Sequence, residues 1–349
     1  MNLESICDCI LDESSSKEVL QVALDAFVQR CSEVGGIVPD AGFDAWAGDT
    51  LLESGVAISP QAAAHCALDY QRSIVFMRAV HAALNVLKAR SAGTRVEVLY
   101  AGCGPFATLL LPVLNRFSPG ELAITLLDIH QSSIDSVKLL LTHFDLDLHA
   151  IQCVAGDACQ YKHERKLDLV IAETMQKSLE QEPQFAVTAN LASQLLPEGI
   201  FVPQSIEVTL CLADLEREKE LLDRSPEIDP QQLANVAQRC SLATILTLAP
   251  ESAYYRMLFA QHNAQTTSFE LEPTLVGIPA SIDVSGFDLV LFTHITVFEH
   301  YQLGGYESNI TLPSKCHELG SFASGERYRV SYQLGSYPKF HFDLVGNGQ

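Results

Sequence analysis

Two glycines directly follow a short apolar run in Val98-Leu99-Tyr100-Ala101-Gly102-Cys103-Gly104-Pro105-Phe106-Ala107. A turn of this kind lets a ligand approach the backbone closely, because no Cβ stands in the way. Asp128 ends the next apolar run, where a carboxylate can accept hydrogen bonds from both hydroxyls of a ribose. Asp157-Ala158, after a third run, offers an acceptor for an adenine amino group, although taken alone Asp157 reads as a loop cap. Glu173 and Glu182 stand nine residues apart. On one helix, nine steps of about 100° would put them on opposite faces, so they converge only if the segment is a loop. Glu180 competes with Glu182 as the second carboxylate. Asp69 and Arg72 are spaced i, i+3, which alone is a surface ion pair, and His294 alone is a partly buried strand histidine. Cys103 reads as a small packing residue of the turn, since no base or resolving cysteine is assigned to it.

The elements that must hold these residues alternate in period. Ser15 and Glu18 have capping-box spacing, and Val19, Leu20, Leu24, Phe27, Val28 and Cys31 then recur at helical spacing up to Gly35-Gly36. A helical region, broken or continuous, runs from Gln61 to Arg90. Strands are expected at Val96–Ala101, Ala123–Leu127, Ala150–Ala155, Leu167–Ala172 and Ile200–Val202, with helices at Ala107–Asn115, Ser132–Phe144 and Gln184–Leu196 between them. This alternation predicts an α/β fold, a doubly wound, Rossmann-like parallel sheet with helices on both faces. After Pro203 the pattern becomes that of an antiparallel β domain, with strands at Ile206–Leu212, Phe287–Thr296, Tyr328–Tyr332 and Lys339–Leu344. A charged helical insertion, Ala213–Gln238, is interrupted by Pro226 and Pro230. The expected organisation is an acidic helical segment over 1–57, a cofactor domain over 58–203 and a β domain over 204–349.

Composition narrows the function classes. The chain of 349 residues has 43 acidic and 22 basic residues and a formal charge of −21. Tight nonspecific binding of nucleic acid, which needs many Lys and Arg phosphate contacts, is therefore not expected, and a cationic partner fits better. The first sixty residues hold eleven Asp and Glu against two Lys and Arg, a bias that a solvated acidic surface also explains. Ten scattered cysteines without a CxxC read as thiols in a reducing cytoplasm. No export signal or membrane span is expected, and no metal site is assigned.

With these residues in place, the chain resembles the class I S-adenosylmethionine-dependent methyltransferases. VLYAGCGPF stands as the glycine motif, LLDIH as the acidic strand end and GDA as the adenine-side motif. Within that class, Glu173 and Glu182 directly after the fourth strand are similar to the double-glutamate loop of protein arginine methyltransferases. Asp69-Tyr70-Gln71-Arg72 resembles the family's D-x-x-R helix, and Thr293-His294 its T-H-W loop. The resemblance spans about residues 58 to 300. It departs from the family pattern at Ala172 for serine, Ile295 for tryptophan and Ala107 for the third glycine.

The resemblance implies S-adenosyl-L-methionine as cofactor, bound by Arg72, Gly102, Cys103, Gly104, Asp128, Asp157, Ala158 and Glu173. It implies that Glu173 and Glu182 hold a guanidino or amino acceptor, in an arginine-containing peptide or a small guanidine or amine, that Arg72 pairs with the cofactor's carboxylate, and that Asp69 pairs with His294. A guanidinium presents a planar fork of donors, which paired carboxylates match. By the same resemblance the insertion occupies the place of a dimerisation arm, so a homodimer is expected. Two alternatives stand beside this reading: a methyltransferase of a small biosynthetic metabolite, and an inactive cofactor-binding interaction module.

Overall fold

The computed structural model describes residues 1–91, 93–146, 150–261, 271–316 and 319–346. Its N-terminal part opens with α1 (Leu3–Leu11) and α2 (Lys17–Gly35). Ser16 rather than Ser15 caps α2, its side chain accepting from Val19 N–H, and Gly36 ends the helix in the left-handed conformation. The short α3 (Phe43–Trp46) leads into a hairpin of β1 (Thr50–Leu52) and β2 (Gly55–Ala57). The helical region that follows is broken into α4 (Pro60–Cys66) and α5 (Tyr70–Arg90), because Asp69 turns its side chain back to cap Arg72 N–H. Ten of the residues of α5 are buried, among them Arg72, Phe76 and Val80.

The parallel sheet forms as the alternation predicts. Its strands are β3 (Val96–Ala101), β4 (Leu122–Asp128), β5 (Ala150–Ala155), β6 (Leu167–Ala172) and β7 (Leu195–Val202), arranged in the order β5-β4-β3-β6-β7 with every pairing parallel. Between them lie α6 (Gln131–His143) and α7 (Gln184–Ala192). Leu195 and Leu196 begin β7 instead of ending a helix.

One element differs in kind. The helix expected over Ala107–Asn115 is replaced by turns and a short 3-10 helix at Leu111–Arg116. Gly102, Gly104 and Ala107 all have positive φ (67°, 61° and 45°), and Pro105 and Pro112 each remove a backbone donor, so no continuous α-helical ladder starts here.

The remaining chain is antiparallel. β8 (Ser205–Ala213) is followed by α8 (Leu215–Arg224), α9 (Pro230–Val236), β9 (Cys240–Leu248), α10 (Ala253–Gln261) and β10 (Thr274–Gly277). The chain continues through β11 (Asp288–Phe298), β12 (Tyr301–Leu303), β13 (Ser314–Lys315), β14 (Arg327–Gln333) and β15 (Lys339–Leu344). One sheet has the order β12-β11-β8-β9 with β13 also on β11, and the other is β10-β14-β15. A single hydrophobic cluster runs from Leu3 and Phe27 through Phe76, Val98 and Ile171 to Ile295, Tyr332 and Phe340. The parallel and antiparallel parts are thus fused through one core.

The charged insertion folds back on its own sheet. Glu218 of α8 is fully buried and takes Arg239 Nε and Nη2 at 2.8 and 2.9 Å, while the Arg239 guanidinium lies 3.7 Å from the Phe292 ring centroid. Leu233 is buried and Leu215 packs against the Phe292 cluster, leaving Val236, 43% exposed, as the insertion's most open large apolar side chain. No helix among the described residues is long and apolar enough to cross a membrane.

Candidate functional site

The strand order reverses between β4-β3 and β6-β7, and the C-terminal ends of strands beside such a reversal leave a crevice where α/β proteins bind ligands. A cavity of about 270 Å³ occupies this place. Its wall contains Gly102, Cys103 and Gly104 after β3, Asp128 at the end of β4, Asp157 and Ala158 after β5, and Glu173 and Thr174 after β6. Asp69, Arg72 and Glu182 line it too. Ten of the twelve residues singled out in the sequence therefore meet around one hollow, and Glu180 and His294 do not.

The glycine turn is shaped by contact. A Cβ at Gly102 would lie 2.4 Å from Thr174 Cγ2, so only glycine admits both the positive φ and this neighbour. Gly104 N–H donates to Asp128 Oδ2 at 2.9 Å, and His130 N–H donates to Asp128 Oδ1 at 2.9 Å. The carboxylate is thereby oriented, and each oxygen keeps a lone pair for a further donor. His130 extends this chain: its Nδ1 lies 3.5 Å from Asp128 Oδ1 and its Nε2 3.1 Å from Thr50 Oγ1 on β1. Asp157 accepts from Cys159 N–H at 2.8 Å and from Gln160 Nε2 at 3.1 Å, so it caps its own turn while lining the cavity. Burial, then the neighbouring Asp128 charge, holds the Cys103 thiol well above its ordinary range, in keeping with a packing role.

Arg72 and Glu173 form a buried ion pair, with Nη1 3.2 and 3.1 Å from the two carboxylate oxygens and side chains 7% and 9% exposed. Arg72 Nε is buried without a hydrogen-bond partner. A buried guanidinium N–H left this way has spare capacity for an acceptor. Burial raises the Glu173 carboxyl above its ordinary range despite Arg72, and Asp69 adds to the rise.

Glu182 shares the site. Burial first, then the Glu173 charge, pushes it up to about 8, with Arg72 opposing and Asp49 adding. Glu180 is aimed elsewhere, with its Oε2 3.5 Å from Ser314 Oγ on β13. Of the two, Glu182 lines the cavity and Glu180 does not.

The loop from Glu173 to Glu182 is held from outside itself. Ser178, Leu179 and Gln181 have φ of 61°, 58° and 69°, a left-handed conformation that non-glycine residues adopt at a cost. Ser178 N–H donates to Thr293 Oγ1 at 2.9 Å, Gln181 N–H to Pro338 C=O at 2.8 Å, and Tyr332 Oη to Leu179 C=O. From the other side, Val56 N–H donates to Gln181 C=O at 2.8 Å, and Gly55, with φ 147°, lies against the backbone of Gln181 to Pro183.

The Asp69–His294 pair does not form. Asp69 Oδ2 accepts instead from Ser308 Oγ at 2.8 Å and Asn309 N–H at 2.7 Å. Strand alternation explains this: Leu291, Thr293, Ile295 and Val297 face the main core and the glutamate loop, so His294 points to the opposite face, beside Gly304. The residues that sequence reading missed are Thr50, His130, Gln184 and Ser308. Two of them carry a signal: His130 closes the LLDIH run, and Ser308 and Thr311 have cap spacing.

No protein-family model matches the chain, and no curated protein matches it. Among solved structures, it is similar to that of the Trypanosoma brucei PRMT1 enzyme-prozyme heterotetrameric complex with AdoHcy, at 14% identity and a TM-score of 0.44, over 78% of this chain and 92% of that one. It is also similar to the open conformation of Arabidopsis thaliana protein arginine methyltransferase 10, at 12% identity and a TM-score of 0.41, over 74% of this chain and 84% of that one.

Proposed function

We propose that the protein is an S-adenosylmethionine-dependent N-methyltransferase acting on a guanidino or amino acceptor. The observation that carries this reading is the convergence of Glu173 and Glu182 on the wall of the cavity that the glycine turn and Asp128 also form. Two features support the cofactor. A dinucleotide's diphosphate sits on a helix N-terminus, and here the glycine turn runs into turns and a 3-10 helix. The unpartnered Arg72 Nε fits the carboxylate of an amino-acid group.

When bound, the cofactor supplies an activated methyl group on a sulfonium. In this reading Asp128 holds the ribose, and Arg72 the amino-acid carboxylate. Glu173 and Glu182 orient the acceptor nitrogen for in-line attack, which makes catalysis chiefly positioning. They also draw the acceptor's positive charge toward the nitrogens they bind. Asp69 and His294 are given no part in proton transfer, since Asp69 is occupied by Ser308 and Asn309 and His294 faces away. Once the cationic acceptor has displaced the proton that burial keeps on Glu182, that carboxylate takes up the proton released from the methylated nitrogen.

Incubation with methyl-labelled S-adenosylmethionine and either a Gly-Arg-Gly peptide or fractionated native extract tests the proposal. Label on guanidino or amino nitrogen is expected, and separating peptide-bound from small-molecule label identifies the acceptor. Label on neither sinks it. The same proposal keeps the protein in the cytoplasm as a homodimer joined through α8 and α9, and a monomer by light scattering at micromolar concentration removes the second part.

A further inference from the structure

Gln184 is 1% exposed and begins α7, two residues after Glu182. Its side chain reaches back across the glutamate loop and fills its hydrogen-bonding capacity there. Oε1 accepts from Thr174 N–H at 2.8 Å and Thr174 Oγ1 at 2.9 Å. Nε2 donates to Ala172 C=O at 3.0 Å and to Thr188 Oγ1 at 3.3 Å. The Ala172 carbonyl belongs to the peptide unit before Glu173, and the Thr174 N–H to the one after it. One amide therefore pins both peptide planes that flank the first glutamate, while Pro183 joins the same residue rigidly to the second. Thr174, once held, is the neighbour against which Gly102 closes.

We infer that Gln184 is a positioning residue that sets the separation of the Glu173 and Glu182 carboxylates and so tunes how tightly a cationic acceptor is gripped. This rests on the reading of the pair as the acceptor site. Its chemistry needs both oxygen and nitrogen: a carboxylate in this place would accept from Thr174 and repel the Ala172 carbonyl, and an apolar side chain would leave two backbone and two hydroxyl groups without this partner.

The test uses the full chain and two readouts. Gln184→Leu removes all four hydrogen bonds, and Thr188→Ala removes only the one that leads away from Glu173. With the Gly-Arg-Gly peptide, Q184L is expected to raise KM and lower kcat, for a loss of roughly tenfold to a hundredfold in kcat/KM, as a misplacement of about 1 Å would do. S-adenosylhomocysteine affinity by calorimetry stays within about threefold of wild type, and T188A matches wild type in both. Carbon NMR of the glutamate carboxyls supplies the readout that does not depend on turnover. Glu182 faces Glu173, Arg72 and Asp49, and in Q184L its titration midpoint falls towards the ordinary carboxylate range as the pair separates. If neither the peptide nor the extract is labelled, the functional reading fails, yet this midpoint still decides the positioning claim. A Q184L protein that loses thermal stability but keeps the wild-type midpoint overturns it. Should Q184L fail to fold, Thr174→Val, which deletes one hydroxyl bond and keeps the backbone one, is expected to lower the midpoint by less, and an unmoved midpoint there overturns the claim equally.

Discussion

The two walls of the cavity are built differently. The glycine-turn wall consists of strand ends from one sheet, and its key contacts lie within one turn or between adjacent strand ends: Gly104 to Asp128, Asp128 to His130, Asp157 to Cys159. The glutamate wall is a loop with three non-glycine residues at positive φ, fastened by Gly55 and Val56 of the N-terminal hairpin and by Thr293, Tyr332 and Pro338 of the antiparallel sheets. The ends of adjacent parallel strands supply most of one surface. The other holds two buried carboxylates in one place, and it needs support from distant parts of the chain to do so.

If this contrast is real, damage to each wall separates two affinities. The largest effect is expected from Glu182→Gln and Glu173→Gln, which lower turnover about a hundredfold through lost charge-assisted hydrogen bonds. E182Q leaves S-adenosylhomocysteine affinity near wild type in calorimetry. E173Q also strips Arg72 of its buried partner and costs about 3 kcal/mol of stability in denaturant melts. Next comes Gly102→Ala, which must shift Thr174 and adopt a left-handed φ. It is expected to weaken S-adenosylhomocysteine by about thirtyfold, the worth of about 2 kcal/mol. Gly55→Ala presses on the backbone of Gln181 to Pro183 from outside. An acceptor KM raised about tenfold with unchanged cofactor affinity would match the strain of its position, whereas equal loss of both affinities would erase the distinction between the walls.

The last effect is on the pH dependence of stability. With a folded value of about 8 against an ordinary 4.5, Glu182 binds a proton in the native protein that the unfolded chain has released. Its contribution therefore declines as pH rises from about 4.5 to 8 and is level above that. E182Q removes this slope, so its stability relative to wild type is higher at pH 8 than near pH 4. Urea melts at the two pH values check it.

The difference between the walls is also a difference in legibility. Val98 to Ala107, Asp128 and Asp157 announce themselves because strand, turn and acidic end are adjacent in sequence. The parallel sheet followed from the same local periodicity. The β1–β2 hairpin has strands of three residues, too short for alternation to stand out from a loop. The turns at Ala107 arise from backbone conformations that the helical spacing of Leu110, Leu111 and Leu114 does not report. Asp69 finds Ser308 across 239 positions. Thr293 and Ile295 on the inner face of β11 put His294 on the outer one, so strand alternation alone parts it from Asp69. Gln184 carries no motif at all, and only its four contacts reveal it.

The central claim is that Glu173 and Glu182 together receive a cation, and proton release on binding tests it most directly. At pH 7 the raised Glu182 is mainly protonated, and a guanidinium placed beside it must expel that proton. Titrating the S-adenosylhomocysteine-loaded protein with the Gly-Arg-Gly peptide, in two buffers of different ionisation enthalpy, should give heats that differ by nearly one proton per site for wild type and by none for E182Q. Equal heats for wild type in both buffers, with the peptide bound, would contradict the claim.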